Sequence, residues 1–271
     1  MVTRAKLRRA VFWRGYMMNK RSIGWALMLF GLACKTWAAT TIVPLDHFNS
    51  LKLNGELQVE VKAGQTVPKL QIEATSGQLS TVFFTVKQQE LTINQRGSCC
   101  KDGFKPKLII QVPTLNSLIV KGKNKVTITN LHSREFYLFS ENQGDIDIQG
   151  VVGLKELSAQ GKGFINIYWV NTPKLNVWAS AETKILLGGK VENLHANMAK
   201  QSSLNARYLA TTNAYVRTAD CARVDIAAKQ ILNAEAIDTS NIYYYQQPAF
   251  LGQHMFGGGS VLNVVGQPLV N

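Results

Sequence analysis

A repeat near 20 residues governs this chain. Leu118, Leu138, Leu157, Val177, Ala196, Val216 and Ala234 recur every 18 to 20 residues. Each is followed eight residues later by a second apolar anchor: Val126, Ile146, Ile165, Ile185, Leu204, Val224 and Ile242. A fixed period of this length marks a solenoid. Around each anchor, apolar and polar residues alternate, as in a strand with one buried face. Between the anchors stands a small or turn-forming residue: Asn124, Gly144, Gly163, Thr183, Ser202, Ala222 or Ser240. The pattern predicts an all-β protein, a single-stranded parallel β-helix with coils of about 20 residues. Neither the hexapeptide rhythm of left-handed acyltransferase helices nor the calcium-binding nonapeptide is present.

Stacking is what lets such a chain fold. One coil cannot cover its own apolar face, but coils ~4.8 Å apart place the second anchors in one internal column. Ile128, Ile148, Ile167, Leu187, Ala206, Ile226 and Tyr244 form another. The residue between these columns points outward and varies: Thr127, Asp147, Asn166, Leu186, Asn205, Asp225, Tyr243. As a surface position, Asn166 is expected to accept aspartate at a cost under ~0.5 kcal/mol.

The formal charge of +13, from 30 basic and 17 acidic residues, at first suggests nucleic acid. Eight of those bases precede Ala39, where no acid occurs. The remainder carries +5 (22 against 17), which gives no reason to expect a nucleic-acid partner.

Residues 1–38 read as a signal peptide. Asn19-Lys20-Arg21 is a basic start, Ile23 to Cys34 an apolar core, and Thr36-Trp37-Ala38 a cleavage site. Met17 and Met18 offer later starts. Lys35 ends the apolar run short of the ~20 residues of a membrane span, so none is expected in the mature chain. Residues 39–271 are expected to form one domain: irregular coils and a cap over 39–112, regular coils over 113–247, and a C-terminal cap over 248–271. In that cap, Met255 and Phe256 are expected to cover the last coil.

Three short patterns resemble one family. They are Phe48-x-x-Leu51-x-Leu53-x-Gly55, Val112-Pro113-x-Leu115-x-x-Leu118, and Asn241-Ile242-Tyr243-Tyr244 with Pro248 and Gly259-Ser260-Val261. Together they resemble the bacterial head GIN domain, secreted β-helices named as putative auto-transporter adhesin heads. The resemblance spans Phe48 to Val261 and implies a fold and an adhesive role. Its motifs are structural and carry no chemistry.

The remaining candidates concern sites. Cys99, Cys100 and Cys221 are disulfide candidates, since an exported chain meets an oxidising compartment. The four histidines are scattered without ligand spacing, so neither a metal nor any other cofactor is expected. An enzyme is not expected either. The alternative, a carbohydrate-active β-helix enzyme, needs carboxylates ~5–9.5 Å apart, and only Asp220 and Asp238 share a turn column on adjacent coils. The binding reading rests on Tyr168, Trp178, Gly188 and Arg207. Tyr168 and Arg207 are expected to flank a bare Gly188, with Trp169, Gly189 and Tyr208 repeating the arrangement. Aromatics beside a gap can stack on a sugar or anchor a peptide. The expected role is a non-enzymatic envelope protein, periplasmic, surface-held or secreted, binding a cell-envelope glycan or surface protein. A structural component that self-associates is the third reading. Intact-mass measurement of the exported product should place its first residue at or near Ala39; a retained N-terminus would defeat the export argument.

Overall fold

The computed structural model describes residues 39–97 and 105–266, and these form a β-solenoid of stacked, mostly parallel coils. The signal segment, Cys99 and Cys100 lie outside the described residues. Long bent strands make up the regular coils: Lys125–Asn142, Ile146–Gly161, Phe164–Ala181, Lys184–Met198, Ser203–Thr218 and Arg223–Ile237. Their register follows the sequence columns. Val126 pairs with Ile146, Ile146 with Ile165, and so on through Ile185, Leu204, Val224 and Ile242. The first-anchor column runs likewise from Leu118 to Ala234. All these side chains are buried, and each fills the space between the equivalent residues above and below.

Stacking starts earlier than the strict repeat. Ser50–Gly55 pairs in parallel with both Glu90–Gln95 and Ser117–Gly122, and Gln58–Ala63 with both Lys107–Val112 and Lys125–Asn142. The coil at 50–63 is thus inserted between two later segments. At that end the ladder changes hand of pairing: Lys69–Ala74 runs antiparallel to Lys107–Val112 and to Ala39–Pro44. Val82–Lys87 folds back as a hairpin on Glu90–Gln95. A single helical turn, Ser76–Leu79, intervenes and is held by a Thr75–Gln78 capping box.

The turn column is small because backbones meet there. A Cβ on Gly144 would lie 2.2 Å from the Asn124 carbonyl oxygen, and one on Gly163 2.3 Å from that of Gly144. Where the column is polar, it is internally bonded. Asn124 donates to the Lys121 carbonyl (2.8 Å) and accepts from the Leu57 N–H (3.1 Å). Thr183 donates to Gly161 or Ser180, Ser202 to Ala179, and Ser240 to Ile237. These buried polar groups are satisfied, as burial requires.

The outward column is less free than alternation suggests. Asn166 is buried and donates from Nδ2 to Asp147 Oδ2 at 3.0 Å on the preceding coil, and Asp225 is buried as well. Lateral neighbours one strand spacing away cover these side chains even though they point away from the core. Ile165→Asp should lower stability by several kcal/mol, because the carboxylate enters the apolar column without a partner. Asn166→Asp should also cost more than the ~0.5 kcal/mol of an ordinary surface change, since it sets one carboxylate against another. Added salt should recover part of the Asn166→Asp loss and little of the Ile165→Asp loss. Denaturation midpoints at low and high salt check both.

Candidate functional site

The corner after the Ile165–Ile167 segment breaks the in-out alternation. Between Ile167/Leu187 and Val170/Gly189 the register shifts, so Tyr168 and Trp169 together face Gly188. A second shift follows Leu186/Asn205, which pairs Gly188 with Tyr208. Such bulges re-aim side chains. Here they turn consecutive residues outward: Tyr168 is 54 % exposed, Trp169 52 % and Tyr208 63 %. Gly189 takes φ +114°, and a Cβ there would sit 2.1 Å from the Val170 carbonyl oxygen, so only glycine fits. The neighbour flanking Gly188 on the following coil is therefore Tyr208, one residue beyond the Arg207 expected from simple counting. Bulges shift counts by one, and uniform spacing cannot show them.

The result is a slot. Tyr168 and Trp169 lie two coils from Tyr208, ~9.6 Å between backbones, with Gly188 between them, while Gly189 turns inward between the buried Val170 and Leu209. A flat ring midway between them would stand ~4.8 Å from either backbone level. Gly188 lacks a strained φ, but its Cβ would stand 2.7 Å from the Tyr168 carbonyl oxygen. Replacing it would disturb the backbone as well as fill the slot.

Arg207 precedes Tyr208 and reaches away from Gly188, toward the following coils. Its guanidinium is 5.7 Å from the centroid of the Tyr208 ring and 5.0 Å from that of Tyr245, both within cation–π range. Its Nε donates to Asn205 Oδ1 at 3.3 Å, and among the described residues no carboxylate forms an ion pair with it. Tyr245 is itself tethered: its hydroxyl donates to Asp225 Oδ1 at 3.0 Å. Asp225 also accepts two bonds from Arg223, Nε to Oδ2 at 3.0 Å and Nη2 to Oδ1 at 2.9 Å. Arg223 lies over the Tyr243 ring at 4.4 Å. The Asp225 hydrogen bond raises the Arg223 pKa. The signal for this network is present in the sequence as Arg223/Asp225 and Tyr243/Tyr245, outward pairs two apart on adjacent coils. Only the register shows that one carboxylate serves both.

Other candidates lie elsewhere. Trp178 is exposed on a separate segment of its coil, in a column with Ser158 and Asn197, and takes no part in the slot. Asp220 and Asp238 line an open cleft of about 520 Å³ over the stacked turns, with Glu182, Lys200, Gln201, Cys221 and Thr239. Lys200, Gln201, Asp220, Cys221 and Asp238 all take left-handed backbone conformations there. Cys221, a disulfide candidate by sequence, carries a free thiol. It is the sole cysteine among the described residues, exposed at a turn, with its sulfur 2.8 Å from Thr239 Oγ1. No group of three or more His, Cys, Asp or Glu side chains among the described residues could hold a metal. No helix among them is long and apolar enough to cross a membrane.

Fold and site define a parallel β-solenoid that displays its distinctive chemistry on outward corners of the coils. The chain belongs to the family described as putative auto-transporter adhesin, head GIN domain, which matches residues 47–248. Similar solved structures include a putative lipid binding protein from Parabacteroides distasonis, with TM-score 0.74 and 18 % identity over 85 % of this chain and 98 % of that one. A putative adhesin from Parabacteroides merdae has TM-score 0.65 and 16 % identity, over 85 % and 97 % of the two chains. One from Bacteroides fragilis has 0.59 and 18 %, over 83 % and 96 %. At these identities the likeness concerns the fold. No curated protein sequence matches the chain.

Burial, and then the Asp225 hydrogen bond, raise the Tyr245 pKa above its ordinary value of 10.0. The associated stabilisation is present below that value and is lost as pH climbs through the folded one. Alkaline absorbance titration should therefore show a late tyrosine phase that Tyr245→Phe removes. An unchanged titration would contradict this tether.

Proposed function

We propose that this chain is an exported, non-catalytic adhesin-like binding protein whose Tyr168–Trp169/Tyr208 slot takes a sugar ring of a cell-envelope glycan. The observation that carries this is the slot itself: exposed aromatic residues two coils apart with Gly188 between them. Aromatic faces bind sugar rings through their less polar C–H surfaces, and buried aromatic anchors contribute most of an interface's affinity. Arg207 supplies the polar contact, beside Tyr208 and toward the following coils. Two tyrosine rings and Asn205 position its guanidinium, leaving Nη donors for hydroxyl or carboxylate oxygens of the ligand. The adhesin names of the family and of two structural relatives agree with this reading. The reading of residues 1–38 as a signal peptide supports a role outside the cytoplasm, in the periplasm, at the surface or in the medium.

A glycan array probed with the exported protein tests the proposal. Trp169→Ala and Tyr208→Ala should each weaken binding to the retained glycan at least about tenfold, with unchanged circular dichroism because both side chains are more than half exposed. Arg207→Lys should weaken it too, since an ammonium lacks the fork. Asp220→Asn should bind as the parent does. Absence of any retained glycan, or binding that survives both aromatic changes, would refute the slot; turnover abolished by Asp220→Asn would establish the enzyme reading instead.

A further inference from the structure

The far end of the solenoid, among the described residues, presents open strand edges. Phe250–Phe256 pairs on one edge with Arg223–Ile237, and Ser260–Asn263 on one edge with Asn241–Tyr244. Among the described residues no strand pairs with their other edges. The inward columns continue into this last coil: Leu232 meets Leu251, Ala234 meets Gln253, and Ala236 meets Met255. Yet Met255 is 51 % exposed while Ala236 below it is fully buried. Phe250 and Phe256, facing outward, are exposed as well. Met255 and Phe256, expected from sequence to cover the last coil, instead form its open rim.

Open edges invite pairing and are ordinarily guarded by charge or proline. The opposite end is so equipped, with antiparallel strands carrying Pro44, Lys69, Glu73 and Lys87. Beyond Asp238, by contrast, the sequence contains no Asp, Glu, Lys or Arg. The family match also ends at residue 248, just before this coil.

We propose that the Phe250–Phe256 edge pairs antiparallel with the same strand of a second copy, joining two solenoids end to end across a two-fold axis at Gln253. The seven-residue strand is self-complementary about that residue. The axis sets Leu251 opposite the partner's Met255 and Gln253 opposite the partner's Gln253, all on the inward side. On the outward side Phe250 meets the partner's Phe256, and the bare Gly252 meets the larger His254. Residues directly opposite in an antiparallel pair point to the same side of the sheet, so the two open cores become continuous. An isologous contact of this kind closes at two subunits. It lies apart from the aromatic corner and does not depend on it.

Sedimentation velocity of the exported chain at micromolar concentrations tests this. Reductant is included so that Cys221 thiols cannot link copies. A dimer is expected. Gln253→Lys and Gln253→Glu should each give monomers with unchanged circular dichroism, because like charges then oppose each other at the axis. An equimolar mixture of the two should recover a dimer containing one of each, while Tyr208→Ala should leave dimerisation intact. A monomeric parent protein would overturn the proposal, including the case where residues 267–271 occupy the edge. So would a dimer that persists in Gln253→Lys, or an open series of oligomers.

Discussion

Everything in this molecule depends on coils meeting at one strand spacing, ~4.8 Å. At that distance a parallel ladder leaves each inward position no choice of neighbour: it meets its equivalents above and below. Ile165 can be buried because Ile146 and Ile185 stand at the same place on adjacent coils. The same spacing explains the turns. Gly144 and Gly163 approach the preceding carbonyls too closely for a side chain, and the polar members of that column bond to backbone that would otherwise be buried without partners.

The aromatic corner is a controlled departure from that rule. Strict alternation would bury one of every two adjacent side chains. The register shifts flanking Gly188 suspend alternation for two residues, exposing Tyr168 with Trp169 and, two coils on, Tyr208. Gly189 makes the shift sterically feasible through a backbone conformation that other residues rarely adopt. Arg207 is then held between tyrosine rings, one of them fixed by the buried carboxylate of Asp225. A rigid stack thus holds these side chains in place, which for the proposed binding role would spare the ordering cost that surface loops meet.

The two ends solve the solenoid's edge problem differently. At one, a hairpin and antiparallel strands bearing charge and proline discourage further pairing. At the other, among the described residues, an uncharged coil leaves its inward residues uncovered, and the proposed second copy would satisfy both the hydrogen bonds and the apolar surface. The proposed dimer would carry two copies of the proposed aromatic site, and a polymeric ligand would make the second attachment effectively intramolecular.

By itself the sequence determined the architecture and the register of the regular coils, because one apolar column repeated every 18 to 20 residues admits a single way of being buried. The anchors from Leu118 to Ile242 and the small turn column were legible for that reason. Three things were decided only by the tertiary structure. The insertion of the 50–63 coil between later segments depends on pairings between strands distant in sequence, which periodicity does not encode. The placing of Tyr208 rather than Arg207 beside Gly188 depends on one-residue bulges, invisible to counting. The covering of Asn166 and Asp225, both outward by alternation, depends on side chains one coil away, whose reach is set by packing. Periodicity reports which face a residue turns to, whereas lateral neighbours, one strand spacing off, determine what it touches there.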